Sequence, residues 1–151
     1  MVHSARGLRT ALMGLVLVGG GASLNLPASA AEISVYKTPT CGCCTEWVEH
    51  LEQNGFEVTV RSLDDLGPIK SRLGVPYDLQ SCHTAEVGGY VVEGHVPAED
   101  IRRLLEERPT ATGIAVPGMP VGSPGMEYGY RRDPYDVILF RAGAQSIFSA
   151  H

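Results

Sequence analysis

The chain has 151 residues, of which 44% are hydrophobic and 19% charged, and its formal net charge is −5 at pH 7. That length suits one domain with a single core, and the acidic balance excludes nucleic acid as a partner.

Residues 1–30 read as a secretory signal: Arg6 and Arg9 make a positive start, Ala11 to Val18 is almost wholly apolar, and Ala28-Ser29-Ala30 offers a small-residue cleavage site. The apolar core is too short for a membrane span, so no stable membrane insertion is expected after cleavage. The two residues between Arg6 and Arg9 argue for the general secretory route over twin-arginine export. Export to the periplasm leaves residues 31–151 as one domain, more acidic than the whole chain because two arginines and no acid are lost.

In chain order, Ile33 to Thr38 alternates as a strand that Pro39 stops. A helix follows, with Trp47, Val48 and Leu51 on one face and Asn54-Gly55 as its left-handed stop. Phe56, Val58 and Val60 alternate as a second strand, and Pro68 opens a short helix ending near Gly74. After a loop containing Pro76, Thr84 to Val87 and Tyr90 to Val92 flank Gly88-Gly89 as a hairpin. A helix starting at Pro97 buries Ile101, Leu104 and Leu105 and ends at Pro109. Ile114 to Val116 is too short to classify. Residues 117–126 are rich in Pro, Gly and Met and form an ordered loop or a flap. Val137 to Phe140 and Ser146 to Phe148, joined across Gly143, predict a closing hairpin.

The chemistry concentrates in Cys41-Gly42-Cys43-Cys44, which holds three of the four cysteines; the fourth is Cys82. Adjacent Cys43 and Cys44 could pair with each other only through a strained vicinal bridge, so stapling does not explain the crowding. The motif begins a helix, whose unpaired N–H groups and dipole lower thiol pKa for metal or for disulfide exchange alike. Cys41-x-x-Cys44 alone leaves metal binding, dithiol exchange and a structural disulfide open. Exported cysteines form disulfides unless a metal or a reductant prevents it.

The order strand, Thr-Pro-Thr-Cys-x-x-Cys turn, helix, strand, helix, hairpin and helix resembles the thioredoxin and glutaredoxin fold over Ile33 to Arg108. The resemblance implies a three-layer α/β fold around a central mixed sheet, here followed by the Pro/Gly/Met loop and the C-terminal hairpin. That family carries a cis-proline where this chain has Cys82-His83-Thr84, so here a fourth cysteine faces the other three.

At finer resolution the chain resembles the CopG-type periplasmic copper-resistance proteins, which are distinct from the DNA-binding repressor of the same name. Cys41 to Cys44, Trp47 to Glu52, Ser81 to Ala85, Gly89 to Pro97, Val116 to Pro120 and Gly122 to Glu127 carry the likeness. It implies copper held by cysteines as a multinuclear Cu(I) cluster, with a role in copper redox handling. Copper ions and other periplasmic copper-handling proteins are the partners expected.

Thiolates are soft donors that favour Cu(I). Successive helical side chains are rotated by about 100°, so Cys41 and Cys44 should point together and Cys43 aside, which a multinuclear cluster tolerates better than one tetrahedral ion. The expected ligands are Cys41, Cys43, Cys44 and Cys82, with His83 and Met119 as further candidates and Met126 a weaker one. Zinc on Cys41, Cys44, Cys82 and His83 is the alternative metal. His95 is expected to satisfy a helix cap or a backbone group, His50 to lie on an exposed helix face, and Trp47 to pack in the core. The competing function is a thiol–disulfide oxidoreductase in which Cys41 attacks and Cys44 resolves; a zinc-stabilised structural module is a third.

Overall fold

Ile33 and Val35 are fully buried while Ser34 and Tyr36 are partly exposed, so the alternation read in the first strand is the alternation of β1 (Glu32–Lys37) between two faces of a sheet. The computed structural model describes Met1 and residues 31–151; the signal reading of residues 1–30 rests on residues 2–30, which lie outside the described residues. After β1 come α1 (Gly42–Gln53), β2 (Glu57–Ser62), α2 (Gly67–Arg72), a 3₁₀ turn (Tyr77–Leu79), β3 (Thr84–Val87) and β4 (Tyr90–Glu93). The chain then forms α3 (Ala98–Glu107), β5 (Gly113–Ala115), β6 (Asp136–Arg141) and β7 (Ala144–Ala150).

The seven strands make one mixed sheet in the order β2-β1-β3-β4-β5-β6-β7. Two crossovers through helices create its parallel pairs, β1 with β2 and β4 with β5, and the other neighbours are antiparallel. The unclassified run at 114–116 gives β5, buried between β4 and β6, and through it the closing hairpin extends the main sheet. Val60 departs from the expected buried alternation at 45% exposure, because β2 is an edge strand.

The core gathers Ile33, Val35, Trp47, Leu51, Val92, Ile101, Leu104 and Ile114, all without exposure. Trp47 also donates its indole N–H to the Val96 carbonyl at 2.8 Å, pinning α1 to the segment that follows His95. His50 is half-buried rather than exposed. Its Nε2 accepts the Ala98 N–H at 3.1 Å, so it satisfies a free donor at the start of α3.

A buried polar network sets the segment before β3. Lys70 on α2 meets the Glu93 carboxylate at 2.5 Å, and both side chains are almost wholly buried. Thr84 joins them, accepting from Lys70 at 2.9 Å and donating to Glu93 at 2.6 Å, while the Ser81 N–H donates to Glu93 at 2.6 Å. Gly94 closes the arrangement: its φ is +73°, and a Cβ there would meet the Val116 carbonyl and the Ser81 side chain at 2.5–2.8 Å.

Removing one charge from this network leaves the other buried and uncompensated. Glu93→Gln should lower stability by about 3–5 kcal/mol in urea unfolding, and adding Lys70→Met should restore part of the loss. Burial holds the His50 pKa below its ordinary 6.5, so protons bind the unfolded chain preferentially. Its contribution to stability is therefore complete above about pH 6.5 and is lost as the pH falls; His50→Asn should flatten that part of the stability–pH curve.

Candidate metal centre

Antiparallel pairing of Tyr36 with Thr84 places the end of β1 beside the start of β3. The turn after β1 leads into α1, so the residues just before β3 face the start of that helix. Cys41 is the residue capping α1, with extended dihedrals (φ −75°, ψ 97°), and its N–H donates to the Thr38 carbonyl at 3.2 Å. Cys44 is buried, and Cys43 is partly exposed.

One ligand atom each from Cys41, Cys43, Cys44 and Cys82 lie within 4.8 Å of one another. Cys43 does not point aside: its sulfur is 3.6 Å from that of Cys41. The 100° rotation rule fails here because Cys41 stands outside the helix with non-helical dihedrals. Sulfur spacing therefore does not disfavour a tetrahedral ion, whose edges with 2.3 Å metal–sulfur bonds are about 3.8 Å. Cys41 and Cys44 are joined as a disulfide, and Cys43 and Cys82 are free thiols. Those four sulfurs become a thiolate set only after the bridge is reduced.

Cys82 also faces two imidazoles. Its sulfur lies 3.0 Å from His95 Nε2 and 3.2 Å from His83 Nδ1, and one atom each from these three residues form a second group within 4.8 Å. Both histidines are fully buried. His95 Nδ1 is 2.8 Å from the Pro124 carbonyl, which can only accept, so Nδ1 carries the proton and the Nε2 lone pair faces Cys82. The backbone role expected of His95 is thus met by one nitrogen, while the other faces the thiol. The His83 ring lies against Trp47, with centroids 4.3 Å apart, and its Nε2 is buried without a hydrogen-bond partner.

Burial dominates the electrostatics. It lowers both imidazole pKa values, His83 strongly, with His95 and Lys70 nearby adding to the effect on His83. It pushes the Cys82 thiol up to about 12, with Cys43 beside it reinforcing the shift. Without a metal at neutral pH, Cys82 is therefore a thiol between neutral imidazoles; a cation binding there displaces its proton.

The Pro/Gly loop closes over the helix start. Gly125, at φ +82°, comes so near that a Cβ would lie 2.7 Å from the Cys43 carbonyl and 2.8 Å from the Trp47 nitrogen. Turns within the loop bond Met126 N–H to Ser123 O and Gly122 N–H to Met126 O, each at 2.8 Å, and buried Ser123 donates to the Pro120 carbonyl. Ser81 reaches across to the Gly118 carbonyl at 2.5 Å. Met119 is half-exposed at 52%, whereas Met126 is buried.

The role of His95 beside Cys82 was legible but missed. The hairpin register pairs Thr84 with Glu93, and one further step along each strand leads from His83 and Gly94 to Cys82 and His95.

The family model described as "Protein of unknown function, DUF411" matches residues 79–126, the part from the 3₁₀ turn through the Pro/Gly loop. No curated protein matches the chain. Two solved structures, "Copper resistance protein copG" in Form 1 and Form 2, are each 51% identical with a TM-score of 0.77. Each match covers 81% of this chain and 98% of the other. An identity of that level over nearly the whole of those proteins means that the chain belongs to the CopG family of copper resistance proteins.

Proposed function

We propose that this is an exported copper-binding protein that holds Cu(I) on Cys41, Cys43, Cys44 and Cys82 as a multinuclear thiolate cluster, in copper resistance and copper redox cycling. The observation that carries the reading is the gathering of all four sulfurs within 4.8 Å, three of them 38 residues or more from the fourth. Sulfur-only donors suit Cu(I), and the relatives bear the name of copper resistance proteins. Zinc fits the sulfur spacing too, and the copper-resistance name of the relatives is what favours copper over it.

Residues 1–30 act as the secretory signal and residues 31–151 as one thioredoxin-like domain working in the periplasm. Support comes from the sequence of that segment and from the succession β1-α1-β2, β3-β4 and α3. Among the described residues no helix is long and apolar enough to cross a membrane. Met119, half-exposed beside the residue that Ser81 bonds, is a candidate to hand copper on to another copper-handling protein.

The Cys41–Cys44 bridge favours a second reading, thiol–disulfide exchange in which Cys41 attacks and Cys44 resolves. Anaerobic reduction and Cu(I) loading, followed by native mass spectrometry, should give more than one copper per chain, and no retained copper would refute the cluster. Cys82→Ser should weaken copper retention by at least about tenfold. Disulfide exchange that survives this substitution at full rate, with copper retention unchanged, would favour the second reading.

A further inference from the structure

The sheet ends in two edge strands, β2 and β7, and they are finished differently. β2 carries Glu57 and Arg61, charges of the kind that keep an edge from pairing with another chain. β7 has no charge and no proline in its seven residues, Ala-Gln-Ser-Ile-Phe-Ser-Ala. Its half nearer the C-terminus is nonetheless closed. The register shifts between Ile138 and Val137, and Arg103 donates to the Phe148 carbonyl at 2.6 Å with its guanidinium 3.9 Å from the Phe148 ring centre. The half from Ala144 to Ile147 has no such cover, and all four residues are exposed, Ile147 to 65%.

The ladder determines what that half offers. The Phe140 carbonyl accepts the Thr112 N–H at 2.8 Å, so the Phe140 backbone turns toward β5, and Gln145 opposite it points its own N–H and C=O away from the sheet. Two residues on, Ile147 stands opposite Ile138 in the same phase. Gln145 and Ile147 therefore present two donors and two acceptors in a row along the edge. The Gln145 side chain is tied to Asp78 at 2.9 Å, which steadies the strand against the 3₁₀ turn.

We propose that residues 144–147 dock a second copy of this chain, antiparallel, with Gln145 of each copy opposite Ile147 of the other. A two-fold axis at Ser146 matches every outward donor with an acceptor, which an identical strand run in reverse does by symmetry. The uncharged edge meets no like-charge repulsion across the axis and gives a charged partner no electrostatic hold. Gln145 and Ile147 lie on one face of the strand, so the two exposed Ile147 side chains become diagonal neighbours on the joined sheet. β1 lies five strands from β7, so at about 4.8 Å per strand the two metal centres stand about 50 Å apart along the sheet and take no part in the contact. Association of this kind is independent of the copper reading.

The test uses the protein kept reduced, so that no disulfide links two chains, both metal-free and loaded with Cu(I). The contact falls at the small, transient end of specific interfaces, so sedimentation from micromolar to millimolar concentration should show a reversible monomer–dimer equilibrium, the same in both states. Ile147→Lys should weaken dimerisation by about tenfold or more, since it brings like charges together beside the axis. Val60→Lys, on the β2 edge, should leave it unchanged. In the unsubstituted protein, amide hydrogen exchange at Gln145 and Ile147 should slow as concentration rises, a measurement that stands even where a variant misfolds. A chain that stays monomeric to millimolar concentration, leaving the edge to solvent or to a different protein, would overturn the proposal. So would a dimer that Ile147→Lys leaves intact, a dimer that forms only with copper, or exchange at both amides that does not respond to concentration.

Discussion

Four opposed residue pairs in the antiparallel ladder between β1 and β3 bring the two halves of the metal centre together. Their antiparallel register, with Tyr36 opposite Thr84, turns a separation of 38 residues between Cys44 and Cys82 into neighbouring side chains. A shift of one residue would turn every β3 side chain to the opposite face of the sheet. Buried Ile33, Val35, Ala85 and Val87 resist such a slip, since each would exchange a packed environment for the other face. Hydrophobic patterning in two short strands thus determines whether the sulfurs form one group.

Polar interactions then refine what the sheet places. Burying Lys70 and Glu93 is costly, and hydrogen bonds from Thr84 and Ser81 offset that cost only in one arrangement of the backbone. Burial acts in the same sense on the reactive groups: it keeps the imidazoles neutral and the Cys82 thiol protonated, so that a metal ion supplies the charge that makes a thiolate favourable there.

Much of the fold could be read from local signals. The alternation of β1, the apolar face of α1 at Trp47, Val48 and Leu51, and the Gly88-Gly89 hairpin all express short-range periodicity or turn chemistry. β5 escaped because three residues carry no period; only its pairing with β4 and β6 makes it a strand. At the metal centre, the grouping of Cys82 with the other cysteines followed a likeness of motif order, whereas the direction of Cys43 depended on where the helix begins. His50 departs from the exposed face expected of it, since the α3 start is served from α1, while His95 bonds a backbone carbonyl of the Pro/Gly loop and is not the residue that serves the helix start. The Lys70–Glu93 pair had no sequence signal, for two charged residues 23 apart normally face water.

The close approach of Gly125 to the Cys43 carbonyl and the Trp47 nitrogen couples two distant stretches of chain as lock and wall. A side chain on that glycine would prop the loop open, and a cysteine motif transplanted alone into another scaffold would arrive without its roof. Engineers borrowing this centre must carry both stretches, and natural drift at either one is constrained by the shape of the other.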